Sequence, residues 1–517
     1  MPIPIVNSIA SWFLKKRFHQ IELFLKYPNE VQNELLFSLI DIAKDTEFGR
    51  KYDFASIKSY KTFSERIPIK NYDGWQDDIE RSMNGETNIF WPRPIRWYAK
   101  SSGTTRAKSK FIPVSAESLE DCHYAASKDL LCMYLNNNED SQLFTGKSLR
   151  LGGSKELYKE NGIIFGDLSA ILIDNMPFWA EFSSTPSNKV SLMSDWEHKM
   201  QAIVNETINE NVTSLAGVPS WMLVLLNNVL ETTGKQNLHD IWPNLEVYFH
   251  GGVSFTPYVN QYKKILPRKD FKYYETYNAS EGFFAIQDQN NSNELLLMLD
   301  YGIFYEFIPM DTYGSSEEKA IPLSEVKLNV NYAVIITTNA GLWRYKIGDT
   351  VRFTSLSPYR IKISGRTKHH INVFGEELII ENAEEALKKV CKRTRSEIVD
   401  YTAAPIFMEG KEKGAHEWLI EFKKPPKDIH YFNELFDNAL KALNSDYEAK
   451  RYNNITLNKP KIHMARKNLF YDWLKQNNKL GGQHKIPRLS NTRNYMDELL
   501  LLNISHENPI NGNKLSF

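Results

Sequence analysis

The chain has 517 residues, which is too long for a single hydrophobic core, so we expect at least two domains. Lysine and arginine together number 63, as do aspartate and glutamate, so no net charge attracts nucleic acid or an anionic membrane. The cysteines Cys122, Cys132 and Cys391 lack the CxxC spacing of a zinc site and fit a reducing compartment. The composition predicts a cytoplasmic protein that binds neither nucleic acid nor membrane.

The N-terminal part of the chain has the pattern of two helices. Apolar residues from Phe18 to Lys44 recur at helical spacing, and Pro28 interrupts the pattern. The first residues place their positive charges after the apolar ones, which predicts an amphipathic surface helix rather than a secretory signal. Charged residues cut the longest apolar stretch, Leu295 to Met310, so no segment is predicted to span a bilayer and we expect a soluble protein.

A hydroxyl-rich run from Lys100 to Lys110 follows the strand-like residues Ile95 to Ala99. Its polar centre consists of Ser101, Ser102, Gly103, Thr104 and Thr105. Hydroxyl donors, backbone amides around a glycine and flanking lysines are groups that bind phosphate oxygens. The run lacks the glycine spacing of a nucleotide P-loop. It predicts a phosphate-binding loop of another type, with a solvated surface loop as the alternative.

Between residues 115 and 274 helical and strand patterns alternate. The predicted helices are Ser115 to Tyr134, Ser194 to Ile208, Pro219 to Glu231 and Thr256 to Leu266. The predicted strands are Leu149 to Gly152, Ala170 to Ile173, Val212 to Ala216, Leu245 to His250 and Phe271 to Tyr274. Strands separated by helices favour a mainly parallel sheet, which binds ligands beyond the carboxyl ends of its strands.

The later part of the chain changes character twice. From Leu295 to Ile363 strands follow one another without helices, which predicts an antiparallel sheet or small barrel closing the first domain. The elements predicted after that are helix Glu381 to Lys392, strands Ile398 to Ala403 and Glu417 to Phe422, and helix Tyr431 to Leu443. We therefore predict an α/β fold. Its large N-terminal domain, residues 1–367, has mixed or parallel sheets, helices and a small barrel-like sheet, and a smaller α+β domain covers residues 368–517.

The segment Tyr277 to Gly282 places a hydroxyl beside a carboxylate at a predicted strand end. Ser280 can donate to a phosphate oxygen, and Glu281 can hold the Mg²⁺ that neutralises a polyphosphate. A turn with an exposed acid is the alternative. Upstream, Gly251 and Gly252 either let the backbone approach a planar base or form a tight strand-to-helix turn.

Two further segments carry residues suited to nucleotide binding. Asp349, after Gly348 in a strand-rich run, can accept hydrogen bonds from both hydroxyls of a ribose, and Arg366 can add a polar contact. The alternatives are a hairpin turn at Gly348 and an ordinary linker arginine. Near the C-terminus, Lys485 in a glycine-containing loop can place a movable charge on a developing phosphate anion. A solvated lysine is the alternative there.

The order of these motifs resembles that of the adenylate-forming superfamily of acyl-CoA synthetases, peptide-synthetase adenylation domains and luciferases. Within it the chain resembles the auxin-responsive-promoter family of acyl-acid amido synthetases, specifically its bacterial branch. The distinguishing matches are Ser101 to Thr105 with Lys110, Gly341 to Asp349, and Gln483 to Arg488. The resemblance extends from about Phe18 to Arg488.

The resemblance implies a reaction and residue roles. In that family a carboxylate attacks the α-phosphate of ATP, pyrophosphate leaves, and the amine of an amino acid captures the acyl group. The implied roles are phosphate binding by Ser101, Ser102, Gly103, Thr104, Thr105 and Ser280, adenine or ribose binding by Gly251, Gly252, Tyr277, Asp349 and Arg366, Mg²⁺ binding by Glu281, catalysis by Glu281 and Lys485, and a hinge at Lys368.

The chain departs from the family pattern at two places. Arg106 and Ala107 stand where the loop usually has a small residue and then a glycine, and Lys368 stands where many superfamily members have aspartate. Three functions stay open: amide formation between a small carboxylic acid and an amino acid, acyl- or aryl-CoA ligation, and nucleotide binding without catalysis. The resemblance implies ATP and Mg²⁺ as cofactors and a mobile C-terminal domain, and we expect a monomer.

Overall fold

The computed structural model describes most of the chain. The described residues are 17–102, 109–152, 157–176, 178–193, 195–253, 255, 258–367, 370–409, 412–452, 456–477 and 486–505. The chain divides into two compact units: the larger comprises Met1–Ser101 and Lys110–Thr367, and the smaller comprises Ser102–Ser109 and Lys368–Phe517. Helices and sheets occur in both units, so the predicted α/β class is confirmed.

The larger unit contains helices and two sheets. Its described helices are α1 (residues 17–26), α2 (Pro28–Ala43), α3 (Glu47–Lys51), α4 (Tyr60–Arg66), α5 (Gln76–Met83), α6 (Ala125–Asn137), α7 (Leu168–Asp174), α8 (Phe178–Phe182), α9 (Asn188–Ser191), α10 (Trp196–Thr207), α11 (Pro219–Thr233) and α12 (Val259–Ile265). Its described strands are β1 (Trp97–Ser102), β2 (Ser109–Val114), β3 (Lys147–Leu151), β4 (Tyr158–Glu160), β5 (Ile163–Gly166), β6 (Ser184–Thr185), β7 (Val212–Gly217), β8 (Val247–Gly251), β9 (Lys272–Ala279), β10 (Gly282–Ile286), β11 (Leu295–Leu297), β12 (Ile303–Pro309), β13 (Ile321–Pro322), β14 (Asn331–Thr338), β15 (Tyr345–Leu356) and β16 (Tyr359–Arg366).

The main sheet joins a parallel half to an antiparallel half. Its strand order over the described residues is β13-β12-β14-β15-β16-β11-β10-β9-β8-β7-β3-β6. Strands β6, β3, β7, β8 and β9 run parallel to one another. Every pair from β9–β10 to the β13 edge is antiparallel. Both predicted regions are present, and they form one continuous mixed sheet instead of a sheet with a separate barrel.

Two helices beside the parallel half, α10 and α11, lie close to where the sequence patterns place them. The Asp195 carboxylate accepts a hydrogen bond from the backbone N–H of His198 at 2.9 Å and caps α10. Pro219 stands in the first turn of α11, where its missing N–H costs nothing, and Gly234 ends that helix with φ +67°. These helices connect the strands whose carboxyl ends form one edge of the sheet.

The two predicted N-terminal helices are present as α1 and α2. Pro28 lies in the first turn of α2, so it starts the second helix instead of kinking a longer one. The buried Gln32 of α2 donates hydrogen bonds to the carbonyl oxygens of Leu299 and Ile303, at 2.8 and 3.0 Å, and accepts one from the N–H of Tyr305. These bonds attach α2 to the start of β12.

One predicted strand is wrong and another is too short. Ala170 to Ile173 lies within α7, which starts after Asp167 because β5 has ended at Gly166. A short apolar run fits a buried strand or one face of a short helix, so periodicity does not separate the two. The strand predicted to end at Tyr274 continues to the end of β9, because β10 pairs with its last residues.

The smaller unit is α+β. Its described elements are the helices α13 (Ile380–Thr394), α14 (Ile429–Leu443), α15 (Ser445–Arg451), α16 (Leu469–Gln476) and α17 (Asn494–Ser505) and the strands β17 (His370–Ile371), β18 (Leu378–Ile379), β19 (Glu397–Ile406), β20 (Ala415–Lys424) and β21 (Lys461–Ala465). Strands β19 and β20 are antiparallel, and β21 runs parallel to β20. The predicted elements between residues 381 and 443 are confirmed, whereas the later ones lacked a sequence prediction. Across the described chain, no helix has both the length and the hydropathy that crossing a bilayer requires.

Candidate functional site

The junction between the two halves of the main sheet is a two-residue turn. Ala279 at the end of β9 pairs with Gly282 at the start of β10, so Ser280 and Glu281 alone connect the strands. A Cβ on Gly282 would lie 2.5 Å from the Cδ1 of Ile303, so any larger residue here would displace that side chain. Both turn residues are half-buried, so their side chains remain accessible at this edge.

Three predicted residues meet in one hydrogen-bonded group. Asp349 on β15 lies opposite Arg366 on β16, whose Nε donates to Oδ1 of Asp349 at 2.8 Å. The hydroxyl of Tyr277, near the end of β9, donates to Oδ2 at 2.8 Å. Burial and the Asp349 charge raise the pKa of Tyr277 well above its usual value, which keeps the phenol protonated as the donor. The arrangement orients a carboxylate that has lone pairs left for further donors.

The backbone around Asp349 explains the neighbouring glycines. Gly348 has φ +91° and Gly365 has φ +146°, conformations that side chains disfavour. The register of β15 and β16 shifts between the pairs of Thr350 and Val351, so the strands are bulged here. Gly348 and Asp349 lie inside β15, and the alternative of a hairpin turn at this point is wrong.

Glu281 lies near the hydroxyl of Tyr345, the first residue of β15. Tyr345 is fully buried, and its hydroxyl approaches the carboxylate of Glu281. Burial, the negative charge of Glu281 and the hydrogen bond to it raise the pKa of Tyr345 well above its usual value. The phenol therefore stays protonated and can orient the Glu281 carboxylate.

Tyr72 contacts β2, the strand that follows the hydroxyl-rich loop. The hydroxyl of Tyr72 accepts a hydrogen bond from the N–H of Phe111 in β2 at 2.9 Å. The ammonium of Lys110 lies 5.9 Å from the centroid of the Tyr72 ring. Ser101 is half-buried near the end of β1, the strand next to β2. Both ends of the loop therefore lie on neighbouring strands.

The two glycines at the end of β8 have structural reasons of their own. A Cβ on Gly251 would lie 2.6 Å from both the carbonyl oxygen and Oγ1 of Thr276, so only glycine allows β8 and β9 to pack here. Gly252 has φ +82°, as a tight turn requires. They form the predicted strand-to-helix turn at the carboxyl end of a parallel strand, where a ligand role stays a prediction.

Several predicted site residues lie outside the described residues. They are Gly103, Thr104, Thr105, Arg106, Ala107, Lys368 and Lys485. Ser102 is described only as the last residue of β1. The geometry above therefore concerns Ser280, Glu281, Tyr277, Asp349 and Arg366, which the structure brings to one region of the larger unit.

Sequence reasoning missed the different roles within the segment Gly341 to Asp349. Arg344 turns away from Asp349 and forms a bidentate ion pair with the buried Glu306, at 2.8 and 2.9 Å. Gly341 has φ +85°, and the indole N–H of Trp343 donates to the carbonyl oxygen of Phe90 at 3.1 Å. The first part of the motif thus stabilises the core. Tyr345 was quoted within the motif without a role, and no sequence signal connects it with Glu281.

The described residues fit a Mg²⁺ ion that is shared with a substrate. No group of three or more His, Cys, Asp or Glu side chains is arranged as a metal site in the described part of the chain. Mg²⁺ is commonly held by one or two carboxylates together with phosphate oxygens and water. Glu281 offers one such carboxylate.

Three family models match the chain in succession. The GH3 family N-terminal domain matches residues 17–271, the central domain residues 296–366 and the C-terminal domain residues 381–494. The resemblance predicted from the motifs is confirmed at this level, while the bacterial branch stays a prediction.

Curated relatives and solved structures agree with the family match. The indole-3-acetic acid-amido synthetase GH3.3 of Arabidopsis thaliana is 20% identical, with 94% of this chain and 93% of the relative covered. The jasmonoyl-L-amino acid synthetase GH3.5 of Oryza sativa subsp. japonica is 23% identical, with 93% and 95% covered. These relatives are named as synthetases, and they span nearly the whole chain.

Two solved structures share the fold. The acyl acid amido synthetase AtGH3.15 in complex with 2,4-DB has a TM-score of 0.62 at 17% identity, with 95% of this chain and 96% of that chain covered. A 2-hydroxyisobutyryl-CoA ligase has a TM-score of 0.54 at 13% identity, with 92% of each chain covered. Because the three family models follow one another along nearly the whole sequence, this chain belongs to the GH3 family.

Proposed function

We propose that this protein is an ATP-dependent acyl acid amido synthetase. It adenylates a small carboxylic acid with release of pyrophosphate and transfers the acyl group to the amine of an amino acid. The observation that carries this proposal is the group formed by Tyr277, Asp349 and Arg366 beside the turn of Ser280 and Glu281, in a chain of the GH3 family. The named relatives support the reaction class.

Asp349 is assigned to the ribose of ATP. Its carboxylate is held by Tyr277 and Arg366, and the lone pairs left over accept hydrogen bonds from the two sugar hydroxyls. Because the hydroxyl of Tyr277 is committed to Asp349, we assign its ring to the neighbourhood of the adenine. The turn at Gly251 and Gly252 supplies the flat backbone against which the base packs.

The phosphates are assigned to the hydroxyl-rich loop and the two-residue turn. The proposed phosphate ligands are Ser101, Ser102, Gly103, Thr104, Thr105 and Ser280. Glu281 holds Mg²⁺, which neutralises charge on the phosphate oxygens. The Tyr345 hydroxyl near Glu281 supports this assignment, since it can hold the carboxylate in one orientation.

The second unit is assigned the movable part of the reaction. We place the functional boundary between residues 1–367 and 368–517, with a hinge at Lys368 and the catalytic Lys485 in the smaller domain. Lys485 stabilises the charge that develops on the α-phosphoryl oxygens. The even charge balance and the free thiols support a cytoplasmic protein, and we expect a monomer.

Acyl-CoA ligation is the second candidate, because a CoA ligase shares this fold. The two candidates have the same first half-reaction and differ in the acceptor. The deciding experiment supplies ATP and Mg²⁺ with a panel of carboxylic acids and measures acid-dependent pyrophosphate release. Mass spectrometry then identifies products formed with amino acids or with coenzyme A. Amide products support the proposal and thioester products support the CoA ligase, whereas no pyrophosphate with any acid favours a nucleotide-binding protein.

The role of Lys485 has its own test. Lys485→Ala is expected to lower acid-dependent pyrophosphate release by about a hundredfold or more, since it removes a donor to the transition state. Lys475→Ala, at an exposed position on α16, serves as the control and should leave the rate unchanged. Equal rates in the two variants would remove Lys485 from the mechanism.

A further inference from the structure

Arg150 is a partly buried cation in the parallel half of the main sheet. It occupies the position before the last residue of β3, between the buried residues Leu149 and Leu151, and its own side chain is partly exposed. Because side chains alternate along a strand, Arg150 points to the opposite face from its two neighbours. On that face its guanidinium meets the segment around α7 and α8.

The partners of Arg150 are poor ones for a guanidinium. Nη1 lies 2.7 Å from the thioether sulfur of Met176, a weak acceptor, and Nη2 donates to the carbonyl oxygen of Ala180 at 3.4 Å. No carboxylate contacts Arg150 among the described residues. Burial lowers its pKa to about 10, because the charged form has lost water.

Other buried arginines in this protein have carboxylate partners. Arg344 forms its bidentate pair with Glu306, and Arg451 donates to both oxygens of Asp437 at 2.7 and 2.9 Å. An uncompensated buried charge costs several kcal/mol, so such a group is retained where a ligand supplies the opposite charge. As far as the described residues show, Arg150 has the surroundings of an anion-binding residue, with no carboxylate against its guanidinium.

The position of Arg150 connects it with the proposed active site. Arg150 pairs in register with Ala216 on β7, and β7 pairs with β8, which ends at Gly251. Strands β3 and β8 are two strand spacings apart, which corresponds to about 10 Å. Arg150 therefore lies within the length of a small substrate from the turn at Gly251 and Gly252, which we assigned to the adenine. The ammonium of Lys199 on α10 donates to the carbonyl oxygen of Gly152 at 3.4 Å and adds positive charge after β3.

We propose that Arg150 binds a carboxylate that is not consumed in the reaction. The source is either the α-carboxylate of the acceptor amino acid or a second carboxylate on the acyl acid. A guanidinium recognises either one through two parallel hydrogen bonds. This inference rests on the proposed function, because that reaction is what brings a second carboxylate into the site.

The first test is direct binding, which does not depend on catalysis. Calorimetry measures the affinity of the full chain, with ATP and Mg²⁺ present, for amino acids, for dicarboxylic acids and for their carboxamides. Arg150→Gln should weaken carboxylate binding by about 10- to 100-fold and leave carboxamide binding unchanged. Arg150→Lys keeps the positive charge but loses the two parallel N–H donors of the guanidinium, so its affinity for carboxylates should lie between those of the wild type and Arg150→Gln. Arg352→Gln, at an exposed position of β15, should match the wild type.

The second test separates the two sources. If Arg150→Gln raises KM for the amino acid while acid-dependent pyrophosphate release is unchanged, the carboxylate belongs to the acceptor. If KM for the acid rises in pyrophosphate release, the carboxylate belongs to the acyl acid. Equal carboxylate affinities in Arg150→Gln and wild type overturn the inference, as does a wild type that binds carboxylates no better than carboxamides. Absence of pyrophosphate release with intact Arg150-dependent binding would overturn the synthetase proposal alone.

Folding provides a check on the variant itself. Because Arg150→Gln removes an uncompensated buried charge, its melting temperature should equal or exceed that of the wild type. A large drop in melting temperature would mean that Arg150 is a structural residue, and it would overturn the inference.

Discussion

Two carboxylates in the larger unit, Glu306 and Asp349, each bond to one arginine and one tyrosine, yet their surroundings differ. Glu306 accepts two hydrogen bonds from Arg344 and one from the hydroxyl of Tyr60 at 2.9 Å. The side chains of Glu306 and Arg344 are 1% and 5% exposed. Arg344 also donates to the backbone carbonyl oxygens of Ser64 and Ile67 at the end of α4, so this group is saturated and closed to solvent.

Asp349 has the same kinds of hydrogen-bond partner as Glu306, but its carboxylate can accept further hydrogen bonds. Arg366 and Tyr277 each donate one hydrogen bond, and the side chains of Asp349 and Arg366 are 11% and 25% exposed. The positive φ at Gly348 bends the backbone beside the acid. Residue types alone therefore do not distinguish a core ion pair from a binding site. The two are distinguished by the number of unused lone pairs on the carboxylate and by the exposure of its side chain.

The largest expected effect is on stability and comes from breaking the ion pair between Arg344 and Glu306. Arg344→Met leaves Glu306 buried with only Tyr60 as a side-chain partner, and we expect a loss of about 3–5 kcal/mol in the free energy of unfolding. The urea midpoint, followed by tryptophan fluorescence, measures it. Arg352→Met on the exposed side of β15 is the control and should change stability by less than about 0.5 kcal/mol. A loss below about 1 kcal/mol in Arg344→Met would show that this pair does not stabilise the core.

Removing the Asp349 carboxylate should affect ligand binding more than folding. Asp349→Ala is expected to weaken ATP binding by about 10- to 100-fold, the value of two hydrogen bonds to a charged acceptor. Its loss of stability should be smaller than that of Arg344→Met, because the partly exposed Arg366 regains water. Asp288→Ala, which breaks the ion pair with Arg360 in the same unit, is the matched control. If both aspartate variants bind ATP equally, Asp349 is not the ribose ligand.

Two tyrosine variants compare the hydroxyl that donates to Glu306 with the one that donates to Asp349. Tyr60→Phe and Tyr277→Phe each remove one phenol-to-carboxylate hydrogen bond, and each should cost about 1–2 kcal/mol of stability. Only Tyr277→Phe should weaken ATP binding, by about 3- to 10-fold, because its hydroxyl orients the proposed ribose ligand. Thermal melts and ATP titrations of the two proteins measure both effects. Equal ATP affinity in both would confine Tyr277 to a structural role.

A third carboxylate, Glu417 in the smaller unit, extends the comparison to pH. Burial by itself raises the pKa of Glu417, and the hydrogen bonds from His463, Arg493 and Lys461 outweigh burial and lower the pKa to about 2. A carboxylate with a lowered folded pKa stabilises the protein above its ordinary pKa near 4.5, and this contribution is lost as pH falls from there towards 2. We expect about 1–2 kcal/mol over this window.

Stability measured against pH checks this expectation. Glu417→Gln should flatten the acid limb of the curve, because the variant has no carboxylate to protonate. Glu434→Gln, which changes an exposed carboxylate paired with Lys459 in the same unit, is the control and should leave the limb unchanged. Parallel curves for wild type and Glu417→Gln would contradict the role of this group.

Much of the fold was predictable because its signals are local. Helix caps such as Asp195 and Pro219, and alternation of strand with helix, predict the parallel half of the sheet correctly. The error at Ala170 to Ile173 has the opposite cause, since a short buried helix and a short buried strand present the same apolar run. Joining the later antiparallel strands to the parallel half depends on the pairing of β11 with β16, which lie far apart in the sequence, and no local pattern specifies it.

The candidate site was predictable residue by residue and not as an arrangement. Glu281 and Asp349 have motifs of their own, so the sequence indicates them. The hydrogen bond between Tyr277 and Asp349 joins residues 72 positions apart, and the approach of Tyr345 to Glu281 depends on the register of β15. Arg150 lies in no motif, and the lack of a carboxylate among its described neighbours is visible only in the structure.

The two-residue turn between β9 and β10 also limits how this protein can change over generations. Ser280 and Glu281 connect strands whose pairing begins at once with Ala279 opposite Gly282. An inserted residue would have to be absorbed by a longer turn or by a bulge like the one between Phe283 and Ala285; otherwise it would reverse the face of every residue on one side of the turn. Insertions and deletions are therefore expected to accumulate elsewhere, and new substrate preferences to arise by replacement of the side chains that surround this turn.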